Sequence, residues 1–60
     1  MDIKEKTKLA AIAARDALNM GCSVRAANEA FNEIAGFYLN HGGKRDFIKL
    51  VNFYAEPDRQ

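Results

Sequence analysis

Side chains able to do covalent or acid–base chemistry are scarce in this 60-residue chain, which holds one cysteine, Cys22, and one histidine, His41. A thiol activated by an imidazole needs the two within hydrogen-bond reach. With the intervening stretch read as one helix, they stand about 27 Å apart at 1.5 Å of rise per residue, so one chain does not assemble the dyad. One Cys and one His also fall short of a closed tetrahedral metal site. The expectation is a non-enzymatic protein with no catalytic residue, no metal and no cofactor. Cys22 then reads as a small buried or half-buried apolar residue in a turn.

The second constellation is the run His41-Gly42-Gly43-Lys44-Arg45. Two glycines expose backbone N–H groups, a helix is expected to start at once, and Lys44 and Arg45 stand where its dipole is positive, an arrangement that suits an anion. It is not a phosphate-binding loop of the nucleotide-hydrolase kind. No strand precedes it, no four-residue spacer separates the glycines, and no Ser or Thr comes after Lys44. The plain alternative is a helix–helix turn with solubilising charges.

A helix-turn-helix is the third. Ala17, Gly21, Val24 and Ala27 fall near positions where such units carry a small residue, a turn glycine and core residues. Ser23 to Phe31 would then open the recognition helix, aiming Arg25, Asn28 and Asn32 at bases. Against this stand Asp16, where an apolar residue is usual, and the apolar character of the helix. Ala27, Phe31 and Ile34 also echo the second helix of a tetratricopeptide hairpin, but one unit cannot stack on itself and no second copy is present.

Three helices are expected to position these groups. Ile3 to Met20 contains no Gly or Pro and is rich in Ala, Leu and Lys, which lose little on entering a helix. A helical projection gathers Ile3, Leu9, Ala10, Ala13, Ala14, Ala17, Leu18 and Met20 on one arc and Lys4, Lys8, Arg15 and Asn19 on the other. The alanines let a neighbour approach closely, with a bulky residue such as Phe31 filling the space. Gly21 stops this helix, and Ser23 is the N-cap of the next, although Ala26 stands where a full capping box would place Glu or Gln.

The second helix reads as residues 24–40. Val24, Ala27, Phe31, Ile34 and Tyr38 share one side, and Ala26, Ala30 and Phe37 lie roughly opposite. So apolar a helix sits at the centre of something, wetted only along a narrow strip. His41 would meet the negative end of its dipole. The third helix, 45–55, places Phe47, Ile48, Leu50, Val51, Tyr54 and Ala55 on one face, and Pro57 ends it within a polar tail over 56–60.

The fold class is therefore all-α, a single domain of three helices. Domains this short usually lean on disulfides, metals or oligomerisation. A single cysteine and the missing metal ligands leave the last, so a homodimer is expected. Nine Lys and Arg against eight Asp and Glu give a net charge of +1, far from the basic excess of a dedicated phosphate binder. Nucleic acid accordingly ranks below protein as a partner. No apolar stretch approaches a membrane span and residues 1–8 lack the apolar core of a signal peptide, so a cytoplasmic protein with no membrane partner is expected.

Binding through apolar surface is the remaining possibility. Ile12 falls amid Lys8, Arg15 and Asn19, and Phe53 lies beside Lys49 and Asp46. With Phe37 they are the candidate interface anchors, and Lys4, Lys8 and Arg15 form a charged rim that steers an acidic partner. Arg25, Asn28, Lys44 and Arg45 are the candidate anion or nucleic-acid contacts. These features suit binding to another protein as a homodimer, and the small size, with no family resemblance, suits an accessory or regulatory protein of bacterial or phage type; the alternative is a small helix-turn-helix DNA-binding regulator.

Overall fold

Alanine dictates the architecture. Ala10, Ala11, Ala14 and Ala27 are all fully buried, and side chains this small let helix backbones pack closely while Phe31, Phe47 and Val51, the largest fully buried residues, fill the space between. The computed structural model describes residues 2–40 and 42–56. Among them are three α-helices and no strand: α1 (Ile3–Asn19), α2 (Val24–Ala35) and α3 (Lys44–Ala55).

Each boundary has a local cause. Asp2 caps α1, its side chain accepting the Glu5 N–H at 2.8 Å. The helix closes in a Schellman motif: the Cys22 N–H donates to the Ala17 carbonyl and the Gly21 N–H to that of Leu18, with Gly21 at φ +92°. Ser23 caps α2 as expected, its Oγ accepting the Ala26 N–H at 3.1 Å. The third helix ends at Ala55, and Glu56 is extended at ψ 143°, the conformation favoured before a proline such as Pro57. Residues 57–60 of the expected polar tail over 56–60, and the role of His41, lie outside the described residues.

Two expectations are corrected. The second helix stops at Ala35 and not at Asn40, because Gly36 turns left-handed at φ +83° and its N–H donates to the Asn32 carbonyl. The Asn32 side chain then accepts the Leu39 N–H at 2.8 Å, folding residues 37–39 back so that Leu39 is buried. Tyr38, assigned to the core face of a longer helix, is 76% exposed, and Ile34 is 42% exposed.

The central element is also α1 rather than α2. The first helix packs extensively on both others, while α2 and α3 meet each other at few positions. Because two neighbours straddle α1, its buried line runs Thr7, Ala10, Ala11 and Ala14, part of a turn away from the expected arc. Leu9, at the far edge of the expected arc, is consequently exposed; Ile3 in the first turn and Met20 at the C-cap are exposed because they stand at the ends of the helix. The third helix agrees with its pattern: Phe47, Val51 and Ala55 are buried, and Ile48, Leu50 and Tyr54 are half-buried.

Candidate interaction surface

An aromatic row crosses from α2 to α3. Phe31 in the core meets Phe37 edge-to-face, with ring centroids 5.9 Å apart, and meets Tyr54 at 6.3 Å; Tyr54 in turn meets Phe53 at 5.4 Å. The Phe31–Phe37 and Phe53–Tyr54 pairs are edge-to-face, a geometry favourable beyond the area it buries, while the Phe31–Tyr54 rings are tilted at 40°. The inner ring is fully buried while the outer two are open, Phe37 at 37% and Phe53 at 70%. Two of the three expected anchors therefore belong to one connected aromatic group.

The third anchor does not join them. Ile12 is half-buried and packs against the core, because α1 is flanked on two sides and little of it is left in water. Of the charged rim, Lys4 is exposed while Lys8 and Arg15 are half-buried.

The residues assigned to nucleic acid are scattered. Asn28 is buried, with Oδ1 lacking a hydrogen-bond partner among the described residues, and Asn32 is engaged with Leu39, so neither presents its side chain to a groove. Arg25 is exposed and pairs with Glu29 at 3.6 Å. A helix this short, with one face against α1, turns inward two of the three groups meant for bases.

Lys44 and Arg45 are exposed and, with Ile48 and Lys49, line a shallow depression at the start of α3. Among the described residues no side chain makes the N-cap hydrogen bond at that helix start. However, the Asp46 carboxylate lies over the turn: a Cβ placed on Gly42 would stand 3.1 Å from its Oδ2. A carboxylate in the first turn already answers the positive end of the dipole, and a second anion there would meet its charge.

Cys22 is exposed and unpaired, which corrects the buried placement expected for it. Its backbone N–H serves the Schellman closure of α1, and that motif holds the residue at the tip of the α1–α2 turn. Among the described residues no three potential metal ligands cluster and no helix is long and apolar enough to cross a membrane. No protein-family model, curated protein or solved structure matches the chain.

Proposed function

We propose that the chain is a small, non-enzymatic accessory protein of bacterial or phage type whose activity is binding: it self-associates as a homodimer and recognises another protein through a helical apolar surface. The observation that carries this reading is the aromatic row, in which Phe37 is partly exposed and Phe53 largely so while ring contacts link them, Phe53 through Tyr54, to Phe31 in the core. Aromatic residues anchored from behind in this way lose little freedom when a partner covers them, which is why they dominate binding energy at protein interfaces. The α2 and α3 helices also meet each other at few positions, and Glu29 and Glu33 on one and Lys49 and Phe53 on the other are exposed.

An exposed, unpaired Cys22 fits a reducing, cytoplasmic setting. The test is sedimentation equilibrium at micromolar concentration on the intact chain and on Phe53→Ala. The intact chain should be dimeric and the variant shifted toward monomer with its helix content unchanged; equal association of the two would remove Phe53 from the interface.

A further inference from the structure

The outward faces of α2 and α3 carry charge patterns that answer one another. On α2, Ala26, Glu29, Ala30 and Glu33 stand at i, i+3, i+4 and i+7, so they outline a shallow hole with alanines on one row and carboxylates on the other. Ala30 is half-buried and the other three are exposed. On α3, Arg45, Lys49 and Phe53 stand at i, i+4 and i+8, all exposed and each about 6 Å from the next. Among the described residues Glu33, Arg45 and Lys49 make no ion pair, and Glu29 has only the contact with Arg25 at 3.6 Å. Both partners of that contact are largely solvated, so it is weak and easily exchanged.

We propose that a second copy of this chain covers these faces, with its α3 lying antiparallel along α2. Phe53 of one copy enters the Ala26, Glu29, Ala30 and Glu33 hole of the other. Lys49, one turn back along α3, then falls level with Glu33, and Arg45 flanks it a further turn out. The parallel alignment would bring Lys49 against Arg25, so like-charge repulsion selects the antiparallel one. Two-fold symmetry forms the contact twice, giving an interface with aromatic anchors and a charged rim. An acidic foreign segment would satisfy α3 but leave Glu33 without a partner, and a polyanion such as duplex DNA would be repelled by the α2 carboxylates. A second copy supplies both signs in the required order.

This interface rests on the self-association proposed above, and charge reversal separates the two. Glu33→Lys and Lys49→Glu each place like charges at both copies of the contact, and each should weaken homodimerisation by at least about tenfold. Helix content should hold, because both positions are exposed. Mixing the two variants restores opposite charges throughout the heterodimer: the original Glu33 and Lys49 meet at one copy of the contact, and the two substituted side chains meet at the other with their signs exchanged. Association should then return to within about threefold of the original chain and weaken as salt is raised. Sedimentation equilibrium on each variant alone and on the equimolar mixture reads this directly. A monomeric parent chain would overturn self-association and this interface with it. A dimeric parent whose association ignores either reversal, or is not recovered on mixing, would overturn this interface alone.

Discussion

Asn32 Oδ1 accepts the Leu39 backbone N–H at 2.8 Å across seven residues of chain. Through its own carbonyl, Asn32 also accepts the Gly36 N–H at 2.9 Å. One residue in the last turn of α2 thus both ends the helix and sets the path of residues 37–39, which buries Leu39 and brings Phe37 against Phe31. The outer end of the aromatic row depends on this bond.

Asn32→Ala removes the side-chain acceptor and leaves a partly buried N–H unpaired, at a cost of about 1 to 3 kcal/mol. Urea unfolding monitored by circular dichroism should show a lower midpoint, and the Leu39 amide should exchange faster with solvent than in the parent chain. Unchanged exchange at Leu39 would mean that the bond does not hold the segment.

Gly36→Ala tests the helix stop itself. A Cβ there meets nothing within 4 Å, so the penalty is conformational, arising from φ at +83°, and should be about 1 to 2 kcal/mol. Gly43→Ala is the control, since φ is −142° and the space is equally open. The first substitution should lower the unfolding midpoint clearly more than the second.

Phe31 is fully buried and is the hub of the row. Phe31→Ala should cost about 3 to 5 kcal/mol, a large share of what so short a domain has to lose. Thermal unfolding by circular dichroism should show a strongly lowered or vanished transition, whereas Phe31→Leu should keep a cooperative one.

Much of the fold is legible in the residues, and the parts that are not have identifiable causes. Ser23 and Gly21 announce the α1–α2 turn, and the three-and-four spacing from Phe47 to Ala55 marks the buried face of α3 correctly, because that helix leans on one neighbour along one stripe. Periodicity overstates the extent of α2, since the apolar pattern continues through Phe37 and Tyr38 and only Gly36 signals that the backbone leaves the helix. The face of α1 is displaced because pattern reading assumes a single covering partner, whereas two helices straddle it. The Asn32 to Leu39 bond links residues seven apart through a loop, and no periodicity encodes that. At the candidate surface, Phe37 and Phe53 are recognisable as apolar residues out of place, but their connection through Phe31 and Tyr54 requires the packing of α2 and α3 on α1.

The basic turn yields a negative expectation. With the Asp46 carboxylate over Gly42, and with Asn28 and Asn32 turned away, the intact protein should show no appreciable binding to duplex DNA at physiological salt. Lys44→Ala with Arg45→Ala should leave both the fold and this result unchanged. Tight, sequence-selective binding that weakens steeply with salt would instead favour the helix-turn-helix regulator.

Self-association sets the apparent mass of the unmodified chain in solution. Sedimentation equilibrium across the micromolar range should give a concentration-dependent rise to twice the chain mass, with association weakening as ionic strength increases. A single species of one chain mass throughout that range, with a well-dispersed amide spectrum, would rule out the dimer and show that three helices on an alanine-lined α1 are stable alone.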